Sequence, residues 1–431
     1  MMNLQQYATL ENSIADALNS PNNKRAEFAD PSILGPGTNW QKVLFRTAFE
    51  QSHNIAVSGA NNGTDYYISG GYFKQSGTII GSNFDRYSFN ANVNSQAKSW
   101  LKLGLNLKAS RSNENAVIGN NTGVVYYALL AAPDQAVYNA DGTFAGPQED
   151  ANGNKLGGLN PVQQALNVTN NTIRNNINGN IYAELKFFKD LTLRSELGGD
   201  FNWNNAQVFN PSYNYGSPGA LNPIKNDLAT LNRLISNSSY WSWKETLNYS
   251  HTWGKHNLSA LAGHEVWESQ YDNVPLAGSG FTAGNTVQTL NVANSVGATI
   301  DEQKGTTVME SYLARAIYTF NNRYSITANI RSDRSSNFAE GHQIGYFPGV
   351  AVSWRLSEEP FMSGIKTVAD NIKIRGGYGA VGNSNIPQGA YLASLRSTAT
   401  AFGTGFLINN VANPNLTWHC LLYTSPSPRD S

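Results

Sequence analysis

The sequence predicts an all-β fold, a transmembrane antiparallel β-barrel present in part, and three observations lead there. From about His53 onward apolar and polar residues alternate with a period of two, many alternating segments run to about ten residues or more, and aromatic residues gather at their ends. A period of two gives each strand one greasy and one polar face. Soluble strands average about 5–6 residues, whereas a strand crossing a bilayer needs about 9–11. Rings at strand ends match the girdles of membrane barrels. The alternative, an aromatic core in a soluble sandwich, fits less well because the opposite faces are so uniformly polar.

Residues 4–19 differ from the rest, with Leu4, Tyr7, Leu10, Ile14 and Leu18 spaced along one face of a short helix. Alternation follows. Tyr87, Phe89, Ala91 and Val93 interleave with Ser88, Asn90, Asn92 and Asn94, and Leu101, Leu103, Leu105 and Leu107 with Lys102, Gly104, Asn106 and Lys108. The pattern marks 172–187, where Ile173, Ile177, Ile181, Ala183 and Leu185 share a face, and then 191–203, 240–250, 256–267, 310–320, 323–332, 347–356 and 371–379. Girdle candidates include Trp100, Phe187, Phe188, Phe201, Trp203, Tyr240, Trp241, Trp243, Tyr249, Trp253, Trp267, Tyr318, Phe320, Tyr324 and Trp354. Tight turns at 188–190, 253–255 and 321–323 alternate with long Asn-, Gly- and Pro-rich connections at 113–170, 204–236 and 273–306. Short turns at one end and long loops at the other is the barrel pattern.

Composition removes several function classes. Among 431 residues only 14% are charged, and 30 Lys and Arg cancel 30 Asp and Glu. Such a chain has no electrostatic footprint for nucleic acid. No run of about eighteen apolar residues exists to form a membrane helix. The single cysteine, Cys420, rules out an internal disulfide framework and a thiolate metal site. The first residues, Met1-Met2-Asn3-Leu4-Gln5-Gln6-Tyr7, carry neither the charged nor the apolar part of a signal peptide.

No constellation qualifies as catalytic, cofactor-binding or metal-binding, and the substrate contacts are not identifiable. Gly377-Tyr378-Gly379-Ala380-Val381-Gly382 has G-x-G-x-x-G spacing, but Asn383-Ser384-Asn385-Ile386-Pro387 cannot open the helix a dinucleotide needs. Asp150, Asn152 and Asn154 begin like a calcium loop, yet Lys155 and Pro161 occupy the glycine and glutamate positions, which leaves at most a loosely held Ca²⁺. His251, His256 and His264 lie on or beside 240–250 and 256–267, with no spacing that sets two on one face with a carboxylate. Adjacent Glu358 and Glu359 point apart on an extended segment and cannot flank one glycosidic bond. Lys102, Lys108, Arg174, Lys186, Arg194, Arg315, Arg331, Lys373 and Arg375 stand on polar faces, where pairing with cross-strand carboxylates is the ordinary expectation.

Several local motifs resemble the SusC/RagA family of TonB-dependent receptors. They are Asn39-Trp40-Gln41, Phe45-Arg46-Thr47, His53-Asn54-Ile55-Ala56-Val57-Ser58-Gly59 and Tyr66-Tyr67-Ile68-Ser69-Gly70-Gly71-Tyr72-Phe73. Phe84-Asp85-Arg86-Tyr87-Ser88, Gly345-Tyr346-Phe347-Pro348, Ser353-Trp354-Arg355-Leu356-Ser357 and Asn413-Pro414-Asn415-Leu416-Thr417-Trp418 extend the match. The resemblance implies a transporter of the cell outer membrane, with about 22 strands closed around a plug. It also implies a SusD-like surface lipoprotein as lid, a TonB contact lying before residue 1, and an oligosaccharide or peptide ligand.

On that basis the chain is expected to be an internal fragment holding about half the barrel, with most of the plug missing. Residues 1–50 would end the plug and lead into the barrel, 51–418 would be barrel with extracellular loops, and 419–431 would be a foreign tail. The expected function is nutrient import, most simply of oligosaccharide, with no enzyme activity and no cofactor. The alternative is a secreted β-sandwich adhesin binding glycans through Tyr126, Tyr127 and Tyr138.

Overall fold

The computed structural model describes the chain except at residues 1, 20–23, 118–122, 150–153, 156–157, 217, 282–287, 365–368, 370 and 426–431. Helix α1 (Leu4–Ala17) begins at an Asn3 cap, which accepts from Gln6 N while the Gln6 side chain returns to Asn3 N. Helix α2 (Trp40–Leu44) is a single turn capped by Asn39. Strands β1 (Glu50–Asn61), β2 (Thr64–Ser76), β3 (Asn83–Lys98) and β4 (Leu101–Asn115) follow. Asn62 and Gly63 join β1 to β2 with φ of 49° and 80°, the left-handed pair that a two-residue hairpin turn demands.

Two short helices, α3 (Val124–Leu130) and α4 (Pro161–Asn167), interrupt the connection to β5 (Thr169–Phe188) and β6 (Leu191–Asn210). A small ribbon, β7 (Tyr213–Tyr215) with β8 (Ile224–Asn226), precedes β9 (Thr230–Trp253) and β10 (His256–Ser279). Then come β11 (Asn294–Ile300), β12 (Gln303–Phe320), β13 (Tyr324–Ser335), β14 (Ile344–Arg355), β15 (Lys373–Asn383), the hairpin β16 (Ser394–Thr400) with β17 (Gly403–Asn410), and β18 (His419–Ser425).

Among the described residues one antiparallel sheet of 14 strands dominates, ordered β1 to β6, then β9, β10, β12 to β15 and β18, with β11 on β10. The 419–431 segment expected to be foreign supplies β18, whose backbone pairs with β15 from Asn383↔His419 to Gly377↔Ser425. Residues 426–431 of that expected tail lie outside the described residues, as do Asp150 and Asn152 of the calcium reading. The glycines from Gly377 to Gly382 lie within β15.

Strands β9 and β10 are 24 residues each and run well into the stretches expected as loops at 204–236 and 273–306. The reason is physical. Beyond a bilayer both faces of a strand meet water, so hydrophobic alternation fades while the hydrogen-bond ladder continues.

Register aligns the faces. Leu105, Ile181, Leu197, Trp243 and Val266 fall in one row across five strands, and Ala314, Ile330 and Pro348 in another. This apolar face stays open, with Val57 58%, Ile181 52% and Val352 55% exposed. An apolar band of this extent marks contact with something other than water. The buried core lies elsewhere, in the cluster of Trp40, Leu44, Val124, Ala128, Ala131, Val162 and Ala165 among the long connections.

A charge placed on the band should be costly and a change opposite it should not. Ala314→Arg should destabilise by about 2–4 kcal/mol, while Arg315→Ala, on the other face, should stay within about 0.5 kcal/mol. Urea unfolding of the intact protein in phospholipid bilayers reads both.

Candidate functional site

The polar face carries the chemistry. Asn106 Nδ2 donates to Asn180 Oδ1 at 2.7 Å, and Asn180 Nδ2 to Glu196 Oε1 at 2.6 Å. Arg194 closes on Glu196 at 2.6 Å, approaches Glu184 at 3.8 Å, and lies 3.7 Å above the Tyr182 ring. Tyr182 in turn donates to Asn94 at 2.8 Å. Its ring lies over Gly104, where any Cβ would come within 2.1 Å of it, so only glycine leaves the space. Further along, Lys244 pairs with Glu265 at 3.0 Å, and Arg331 pairs with Asp333 at 2.7 Å and donates to Ser311 at 2.9 Å.

Beside the first network, and sharing Asn106 and Asn180 with it, lies a recess of about 320 Å³ lined also by Lys108, Asn178, Tyr240 and Ser242. Amides, hydroxyls, an aromatic ring and an ammonium converge there, which suits a polar ligand. The expectation that polar-face cations pair with carboxylates holds for Arg174 with Glu114 at 2.6 Å, and for Arg194 and Arg331. Among the described residues Lys102, Lys108, Lys186, Arg315 and Lys373 form no ion pair: Lys102 stands opposite Glu184, which lies toward Arg194 instead, and the other four have no carboxylate opposite them in register.

Rings at the tight-turn end form a continuous series: Tyr249, His251, Trp253, His256, Phe320, Tyr324 and Trp354, at centroid spacings from 4.9 to 6.5 Å. Two of the expected girdle residues belong elsewhere, since Tyr240 and Trp267 meet at 5.8 Å on the polar face, where strand parity directs them. The three histidines share the apolar face, contrary to the expectation. His256 and His264 are eight positions apart on one strand, and register brings His251 to the same side. His251 contacts Asp190 at 2.8 Å and His264 contacts Glu310 at 3.4 Å. Glu359 holds the rim together by accepting from Tyr324 at 2.5 Å, Trp354 at 3.0 Å and Arg323 at 3.2 Å.

At the opposite end the long connections pack into a small helical cap. Trp40 Nε1 donates to Ala132 O at 2.9 Å, Thr38 N to Pro133 O at 2.7 Å, and Ile79 and Ile80 from the β2–β3 turn join the core. Asn160 is fully buried, accepting from Val162 and Gln163 N and donating to Val137 and Ala145 O. Arg25 pairs with Asp134 at 2.6 Å and covers Phe28 at 4.1 Å. Burial, then the negative charges of Glu11 and Asp134, pushes the Tyr7 hydroxyl up to about 12. Tyr126 and Tyr127, the adhesin candidates, stand edge to face on α3.

With this geometry in hand, the comparisons are specific. No model of a known protein family matches the chain. The TonB-dependent receptor P3 of Formosa agariphila is 28% identical over 411 residues, 91% of this chain and 39% of the receptor. The TonB-dependent receptor SusC of Bacteroides thetaiotaomicron is 26% identical over 383 residues, 83% of this chain and 36% of the receptor. A solved structure of the RagAB peptide transporter superposes with a TM-score of 0.75 and 21% identity over 98% of this chain and 50% of that one. The chain resembles a SusC/RagA-type TonB-dependent receptor. Its sheet has the fold of an outer-membrane barrel wall, present in part, and it spans about two fifths of the curated relatives' length. In such a barrel tight turns face inward to the periplasm and long loops face outward.

Two tests follow for the cap. Trp40→Ala should cost about 3–5 kcal/mol locally, seen as lost hydrogen-exchange protection in α3 and α4 with the β5–β6 ladder unchanged. Because the folded protein holds Tyr7 neutral, that stabilisation is full below pH 10 and fades as pH climbs toward 12. Trp40 fluorescence should therefore shift between pH 10 and 12, and Tyr7→Phe should weaken that dependence.

Proposed function

We propose that this chain forms part of the wall of an outer-membrane importer that takes up an oligosaccharide nutrient and has no enzyme activity. The recess around Lys108, Asn178 and Tyr240 supports the reading most directly. It offers amides, a hydroxyl, the Lys108 ammonium and a ring to a polyhydroxyl ligand, and the charges of Arg194, Lys244 and Arg331 nearby are already matched to carboxylates. The exposed apolar band weighs against the secreted sandwich, which would bury such a face. Energy would come through TonB, and a SusD-like lipoprotein would close the outer mouth, as the resemblance implies.

Residues 51–418 would make up wall and outer loops. Residues 2–49 pack with the outward connections, so we assign them to the external cap rather than to the end of a plug. A peptide ligand is the second reading, favoured by the fold similarity to a protein described as a peptide transporter.

Calorimetry on the intact protein with a mixed oligosaccharide set and a tryptic peptide set separates them. Saturable oligosaccharide binding is expected, weakened at least tenfold by Lys108→Ala with Asn178→Ala, the scale of one hydrogen bond from a charged group together with one neutral one. Peptide binding without oligosaccharide binding would transfer the proposal to peptides. Binding of either class unchanged by the double substitution would remove the recess from it.

A further inference from the structure

On the outer face, between β4 and β12, three successive register rows change chemistry abruptly. The lowest joins Leu107, Gly179, Gly199 and Trp241. The next joins Ile177, Phe201, Ser239, Gln270 and Thr306, and the third joins Trp203, Asn237, Asp272 and Lys304. Two glycines side by side, flanked by large side chains above and below, leave a trough. It measures about 460 Å³, with walls of Leu105, Ile177, Ile181 and Leu197 over the Gly179–Gly199 floor.

Directly outward of the trough, and sharing Phe201 with it, is a polar recess of about 380 Å³. There the Phe201 and Trp203 rings lie parallel within 14° at 6.3 Å, beside Ser239, Gln270, Asp272 and Lys304. Asp272 Oδ1 is buried with no hydrogen-bond partner. Phe201 lies ten residues above the inner end of β6 and Thr306 fourteen above that of β12. At ~3.3 Å per residue and ~40° tilt those positions stand ~25–35 Å above the inner rim. The trough thus faces the outer-leaflet acyl region of a core ~30 Å thick, and the recess faces its headgroups.

We propose that this trough and recess form one binding site for an outer-leaflet glycolipid, with an acyl chain along the glycine floor and a sugar of the headgroup on the Phe201–Trp203 rings. It rests on the outer-membrane placement and is independent of what is imported. The charge balance selects a neutral saccharide head over a bare phosphate. Lys304 is held by Glu302 at 2.5 Å and lies 3.8 Å from Asp272, so carboxylates outnumber the cation. Arg111 lies in the third row but two strands from Trp203, ~10 Å away. The part-exposed Asp272 carboxylate, which lines the recess, accepts from a sugar hydroxyl, and the rings take the apolar face of the sugar. Continuity of the trough with the lipid-facing band supplies the acyl chain without a separate entry path.

The test uses the intact protein in phosphatidylcholine nanodiscs carrying a trace of glucosyl diacylglycerol with a photoreactive acyl chain. A photoreactive phosphatidylcholine of equal chain length serves as the comparison probe. The glycolipid should cross-link to β5 and β6 at least fivefold more than the phosphatidylcholine, and excess unlabelled glycolipid should suppress it. Gly199→Leu, which fills the trough, should abolish the preference. Trp203→Ala and Asp272→Asn, which leave the trough open, should lower the glycolipid signal at least threefold and spare the phosphatidylcholine signal. Heat-modifiable gel mobility confirms that each variant is folded. Equal labelling by the two probes, or a preference untouched by Trp203→Ala and Asp272→Asn in folded protein, would overturn the proposal. Oligosaccharide binding by Trp203→Ala and Asp272→Asn, which lie outside the Lys108 recess, should be normal, so failure here and failure of the importer reading are separately visible.

Discussion

The cross-strand hydrogen-bond ladder is the constraint from which the rest of this structure follows. In hydrocarbon an unpaired peptide group costs several kcal/mol, so a strand that faces lipid must be paired along its length. From β1 to β15 each strand of the main path pairs antiparallel with its neighbour, in register over most of its residues. Once that ladder is fixed, parity decides which side every residue faces. The same parity that puts Ile181 against lipid puts Tyr182 against Arg194 and Asn94.

Two kinds of packing meet on this scaffold. Across the wall, stability rests on the ladder and on lipid, with short polar chains such as Asn106–Asn180–Glu196 satisfying one another on the inner side. In the cap it rests on a small conventional core around Trp40 and Leu44, closed by the buried Asn160. The cap fills like a soluble domain because water lies on its far side. At the inner rim Glu359 ties polar tips of the aromatic series together, fixing the edge of the band where tight turns offer little else.

The wall was legible in the sequence where one face meets lipid and the other water, as at Leu101 to Leu107. It stopped being legible where both faces are wet, so the outward ends of β9 and β10 read as loops. Helices α2, α3 and α4 run five, seven and seven residues, too short to announce themselves by periodicity and held by tertiary contact. The recess at Lys108 was hidden for another reason. Alternation says which face a residue takes, but only register shows that Asn106, Asn180 and Tyr240 converge. Tyr240 and Trp267 stand among other aromatics near strand ends, which favours the girdle, but parity sends both to the polar face.

The long strands bear on the shape of the mouth. Twenty-four residues at ~3.3 Å and a ~40° tilt rise ~60 Å, about twice the ~30 Å hydrocarbon core. The wall at β9 and β10 therefore continues outward as a stiff collar, hydrogen-bonded well above the lipid. Pushing such a stretch inward would break ladder hydrogen bonds on both strands together, so it keeps its line above the lipid as one plate.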